Sequence, residues 1–151
     1  MNVSAGGVPK FPIHEAQLGA RGLVGDTQRN RSHGGPTRAL CLYSLECIQA
    51  LQNEGHPIVP GSTGENLTLE GIDWTQLAPG LRLALGDAEV EITAYTMPCG
   101  VIRRSFSDDN SQRISQSEHP GWSRVYAKVI TEGTLRVGDA ARILAATRSA
   151  E

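Results

Sequence analysis

The chain has 151 residues, 14 lysines and arginines against 16 aspartates and glutamates, a formal net charge of −2 and 39% hydrophobic residues. That near-neutral balance offers no global field for nucleic acid or an anionic membrane surface, and no apolar run reaches the roughly 18 to 20 residues of a membrane-spanning helix. Three irregularly spaced cysteines make neither a disulfide framework nor a short-spacer zinc motif, so the expectation is a soluble, cytoplasmic protein without nucleic-acid or membrane partners.

One core fits this length, which predicts a single domain over residues 1–151. Seventeen glycines and eight prolines punctuate short apolar-alternating runs, a pattern of a mainly β chain with a few short helices. Strands are expected at Ile13 to Leu18, Arg38 to Tyr43, Asn66 to Leu69, Leu81 to Leu85, Glu89 to Tyr95, Val125 to Thr131 and Ala141 to Ala145, a number suited to a barrel or sandwich. One helix is signalled after Ser44, a capping residue, by the stripe Leu45, Ile48 and Leu51, and ends at Gly55 and Pro57. Asp73 is placed to cap a turn through Trp74 to Leu77, and Val101 to Phe106 reads as a brief helix. Gly80 to Ala88 is echoed by Gly133 to Ala140, each read as strand, Gly-Asp turn, strand. Ser107 to Ser117, rich in serine and charge, reads as an exposed loop.

The best chemical handle is Cys99 in Thr96-Met97-Pro98-Cys99-Gly100, where a turn presents the sulfur. Cys41 and Cys47 sit in a strand-like and a helix-like setting, where a free thiol acts as a small hydrophobe. A helix N-terminus near Val101, or the guanidinium groups of Arg103 and Arg104, would favour the Cys99 thiolate. Glycine-rich loops at Ser4 to Lys10, Ser32 to Arg38 and Gly64 to Thr68 expose backbone N–H groups that cradle oxyanions. Each is equally an ordinary turn.

Taken in order, Gly6-Gly7-Val8-Pro9-Lys10, Gly22 to Asp26, His33-Gly34-Gly35, Arg38 to Ser44, Gly55 to Ile58, Pro60-Gly61, Gly64-Glu65-Asn66-Leu67-Thr68, Cys99 and Gly138-Asp139 resemble the molybdenum cofactor sulfurase C-terminal (MOSC) domain family, in its compact stand-alone bacterial type. The match runs from about residue 4 to 144 and leaves 145–151 as a tail. The resemblance implies a pyruvate-kinase-like β-barrel that binds molybdenum–molybdopterin, with Cys99 as catalytic residue and metal ligand. By the same resemblance Lys10, His33, Arg38, Asn66 and Arg124 become cofactor-binding candidates, with Lys10 first choice for the phosphate. The residue-level alternatives stay open: Lys10 as a solvated loop residue, Asn66 as a turn stabiliser, His33 bonded to backbone, Arg124 as a surface residue with its stem on Trp122.

The functions implied are a reductase of N-hydroxylated substrates served by an external flavin or iron–sulfur protein, a sulfur carrier holding a persulfide on Cys99 and charged by a sulfur donor, or a non-catalytic cofactor-delivery module. All three require the same pocket.

Overall fold

Apolar alternation along the chain becomes the inner face of a sheet. In β7 (Arg82–Leu85) and β8 (Ala88–Tyr95), Leu83, Leu85, Ala88, Val90 and Ile92 are buried and their neighbours take the other face. The computed structural model describes residues 1–3, 8–26 and 35–145; His33 lies outside the described residues. The other strands are β1 (Asn2–Val3), β2 (Phe11–Pro12), β3 (Glu15–Gly19), β4 (Gly22–Leu23), β5 (Leu40–Ser44), β6 (Leu67–Leu69), β9 (Val125–Thr131), β10 (Gly133–Arg136) and β11 (Ala141–Ile143).

A six-stranded sheet in the order β11-β7-β8-β9-β5-β6 forms the barrel-like body, and β10-β3-β4 forms a smaller sheet beside it. The fold is thus mainly β with a few short helices, as expected. All pairs are antiparallel except β5 with β6. Every residue of β5 is buried, which marks it as the strand covered on both faces. Helix α1 (Leu45–Asn53) follows it directly; the Ser44 hydroxyl accepts the Cys47 N–H, and Ile48 and Leu51 face the core.

The turn from β3 to β4 holds a glycine that no other residue could replace without cost. Gly22 has φ +113°, and a Cβ there would stand 2.2 Å from the Ala39 carbonyl oxygen. Its absence lets the chain before Asp26 lie against the start of β5.

Two expectations change, and a third is refined. Each Gly-Asp turn does join two strands, but only Gly86-Asp87 closes a hairpin, β7–β8, whereas β10 pairs with β3 and β11 with β7. The two turns pack on each other, with the Gly86 N–H donating to the Ala140 carbonyl at 2.8 Å. Ser107 to Ser117 is not a plain exposed loop. It contains a 3₁₀ turn, Ser111–Ile114, in which Ser111 and Ile114 are buried, and Arg113 ties it down by bonding both Glu54 oxygens (3.0 and 2.7 Å) and lying 4.2 Å over the Trp122 ring. One apolar anchor and side-chain bonds outweigh a polar composition there. The helix after Cys99 is also a 3₁₀ turn, Gly100–Ser105, one residue earlier than expected.

Candidate functional site

The loop bearing Cys99 leaves the end of β8 and is held at several points. The Thr96 N–H donates to the Arg124 carbonyl at 2.9 Å. Ser123 Oγ donates to the Thr96 carbonyl at 3.2 Å, and Ser111 Oγ to the Cys99 carbonyl at 3.2 Å. The backbone is therefore fixed while the thiol remains exposed; Cys99 stands as N-cap residue of the Gly100–Ser105 turn but its sulfur caps nothing. Arg103 and Arg104 are exposed on that turn.

Beside this loop lies Arg124, only 5% exposed, which excludes the surface reading weighed for it. Its Nη1 donates to the Thr63 carbonyl at 2.5 Å and its Nη2 reaches the Met97 carbonyl at 3.5 Å, while Nε is buried with no hydrogen-bond partner. Trp122 stacks with Arg113 instead. A buried donor left unpaired costs about 1–3 kcal/mol, a cost that Arg113 Nη1 also carries.

The carboxylate of Glu65, fully buried, accepts the Gly61 N–H and the Thr63 hydroxyl. Burial raises its pKa, and the hydrogen bonds and the Arg124 charge oppose that rise. Glu65 thus shapes the segment whose Thr63 carbonyl holds Arg124.

Lys10 and Asn66 are joined by a residue to which the sequence reading assigned no role. Lys10 Nζ pairs with Asp26 Oδ1 at 2.5 Å, and Asp26 Oδ2 accepts from Asn66 Nδ2 at 2.8 Å. Asn66 Oδ1 in turn accepts the Cys41 N–H at 3.0 Å, and the Asn66 N–H donates to the Cys41 carbonyl at 2.7 Å. Lys10 is therefore a buried, paired cation and Asn66 a bridge to the start of β5. The signal for Asp26 was present in Gly25-Asp26, yet nothing local says that it meets Lys10.

Arg38 lies with its guanidinium carbon 4.8 Å from the Tyr126 ring centroid. Thr93, the extra residue at the β8 bulge opposite β9, donates from its hydroxyl to the Thr37 carbonyl at 2.6 Å and steadies the approach to Arg38. Tyr126 stands opposite Cys41 across β5 and β9 and carries the Arg38 guanidinium over its ring. Its pKa is raised first by burial, then by Cys41, while Arg124 and Arg38 lower it and Cys99 adds a smaller upward push. Four of the cysteines and arginines singled out in the sequence, Cys41, Cys99, Arg38 and Arg124, are thus within electrostatic reach of one phenol.

Cys41 is buried, 3.7 Å from Thr96 Oγ1, and desolvation raises its pKa; Cys47 is half-buried and raised for the same reason. Both fit a packing role. His56 receives the Ser107 N–H on Nδ1 at 3.2 Å and packs edge-on to Phe106. Among the described residues no three His, Cys, Asp or Glu side chains assemble as a metal cluster.

The family model for the MOSC domain matches residues 29–142. The chain belongs to the MOSC domain family. It is 27% identical over 135 residues to the uncharacterized protein YflK of Bacillus subtilis, covering 87% of this chain and 60% of that one. It is 29% identical over 114 residues to protein YiiM of Escherichia coli, covering 72% and 51%. The MOSC chain thus spans between half and two thirds of these curated relatives. Among solved structures, YiiM from Geobacillus stearothermophilus superposes with a TM-score of 0.72 at 25% identity, covering 92% of this chain and 65% of that one. The YUAD protein of B. subtilis has the same fold, with a TM-score of 0.66 at 20% identity over 88% and 86% of the two chains.

Proposed function

We propose that this MOSC domain binds a molybdenum–molybdopterin cofactor as a single unit, with Cys99 as its one protein ligand to the metal, and reduces N-hydroxylated substrates. The observation that carries the reading is the pairing of an exposed thiol on a clamped loop with a buried arginine whose Nε lacks a partner. A soft thiolate suits a high-valent metal, and an unpaired guanidinium N–H suits a phosphate or pterin oxygen. When bound, the cofactor supplies a two-electron centre that accepts oxygen.

This chain's residues supply position. Arg124, held between the Thr63 and Met97 carbonyls, would offer Nε to an anionic group of the cofactor, and Arg38, braced by Tyr126, would add a second cation. Lys10 and Asn66 act through Asp26, ordering the wall behind Cys41 rather than holding the phosphate directly. The backbone bonds around Cys99 hold its loop in place, so the thiol would meet a metal from a fixed segment. In the overall reaction a hydroxylamine R–NHOH, two electrons and two protons give R–NH2 and water, so the electrons come from a separate flavin or iron–sulfur protein.

The test is molybdenum and pterin per chain, for wild type and Cys99→Ser, produced in a host that makes the cofactor. Stoichiometric metal and pterin in wild type, with metal lost or inert in the variant, is the expected result. Pterin absent from both proteins overturns it; a persulfide mass shift on Cys99 would then favour the sulfur-carrier role, for which the same exposed thiol is suited.

A further inference from the structure

Thr68 closes the Gly64 to Thr68 motif, yet it takes no part in the Cys99 site. Its Oγ1 is buried and has no hydrogen-bond partner among the described residues. Thr68 lines a cleft of about 110 Å³ between β6 and the turn that joins β10 to β11. Leu67, Leu69, Leu85 and Leu135, all buried, form its apolar wall, and the exposed segment 136–140 forms its rim. Leu85 stands opposite Ala88, the first residue of β8, whereas the Cys99 loop leaves the other end of that strand. The cleft is therefore separate from the site described above.

Its shape follows from the sheet. Strands β6 and β11 are the two edges of the six-stranded sheet and do not pair with each other, which leaves a seam between them. The turn above the seam is held off it at three points. The Val137 N–H donates to the His14 carbonyl at 2.9 Å, the Arg136 N–H to Asp139 Oδ2 at 2.9 Å and the Gly86 N–H to the Ala140 carbonyl at 2.8 Å. Arg136 is committed to Glu15 through Nε at 3.0 Å.

Protein interiors are close-packed and buried hydroxyls are bonded as a rule. A leucine wall, a fixed rim and a stranded hydroxyl together define what completes this cleft: an apolar body carrying one hydrogen-bonding group. Volume sets the size. An apolar cavity of about 150 Å³ in another protein takes up benzene, so this cleft admits one ring and not two. A charged molecule is disfavoured by the cost of desolvating it against the leucines.

We propose that the seam between β6 and β11 is a second binding site, for a small neutral single-ring molecule with one hydroxyl, the chemistry of a phenol, whose hydroxyl bonds to Thr68 Oγ1. Binding there needs neither Cys99 nor a metal.

The test is a titration of the full chain, ¹³C-labelled on its leucine and valine methyls, with phenol and with benzene up to about 10 mM. Saturable shifts centred on Leu67, Leu69, Leu85, Leu135 and Val137 are expected, with phenol bound more tightly than benzene. Thr68→Val keeps the shape and removes the hydroxyl; it should weaken phenol by about threefold to tenfold, the worth of one net hydrogen bond, and leave benzene unchanged. Ala140→Phe, at the exposed rim, should fill the cleft and abolish binding of both, with far-UV circular dichroism unchanged. The proposal is overturned by an absence of saturable shifts, by shifts centred elsewhere, or by equal phenol affinity in wild type and Thr68→Val. A water that stays on Thr68 Oγ1 in a crystal soaked with phenol overturns it as well.

Discussion

Two regions of the site, a few residues apart in space, are built on opposite principles. Around Lys10, Asp26, Glu65 and Arg124, four ionisable side chains are removed from water, and nearly every polar atom of theirs is engaged by a neighbour. On the Met97–Arg104 side Met97, Val101, Arg103 and Arg104 face solvent, and the loop is held by its backbone and by buried Ile102. Buried charges are strongly unfavourable unless paired, whereas exposed ones contribute little to stability. The first region is therefore ordered by its own ion pairs and hydrogen bonds, whereas the second stays open to solvent.

Breaking the buried region should have the largest effect. Asp26→Ala leaves the Lys10 ammonium buried without its carboxylate and should lower stability by about 3–5 kcal/mol in urea unfolding; replacing both by apolar residues of similar size should restore much of it. If Asp26→Ala unfolds like wild type, the buried pair does not organise this wall. Gly22→Ala comes next, at about 2–3 kcal/mol, because it forces a side chain into a positive-φ turn against the Ala39 carbonyl.

A pH series sharpens the contrast. Burial raises the folded-state pKa of Glu65, so the folded protein holds that proton more tightly than the unfolded chain. The resulting stabilisation is fully present below the ordinary carboxylate pKa and is lost as pH rises through the raised value. Glu65→Gln should remove this downward slope from a plot of unfolding free energy against pH. An unchanged slope would assign the effect elsewhere. The smallest effect belongs to the exposed side: Cys99→Ser should change unfolding free energy by no more than about 0.5 kcal/mol while leaving the metal lost or inert. A large loss of stability there would mean that the thiol is a structural group.

Much of the architecture was legible because it is written in local pattern. Val125 to Thr131 emerges with its expected bounds, and Ser44, Ile48, Leu51 and Gly55 delimit α1 as their chemistry requires. Cys99 could be singled out because proline before it and glycine after it disfavour packing. Tyr126, Asp26 and Glu65 could not be assigned a role, since each matters through a partner distant in sequence: Tyr126 through Arg38, Asp26 through Lys10 and Asn66, Glu65 through Gly61 and Arg124. The error over Ser107 to Ser117 has the same origin. Its composition is polar, and the contacts that order it come from Glu54, far along the chain, and from Trp122, which lies beyond the segment.

The sequence by itself determined the strand-rich class, the family and the residue types available for chemistry, because periodicity, turn residues and ordered motifs are properties of neighbours. Tertiary structure alone decided which cations are already paired and which keep an unused donor. It paired Lys10 with Asp26, buried Arg124 with its Nε unpartnered and left the Cys99 thiol open. Burial and ion pairing depend on what the fold brings within a few ångströms, and a residue's type does not encode that distance.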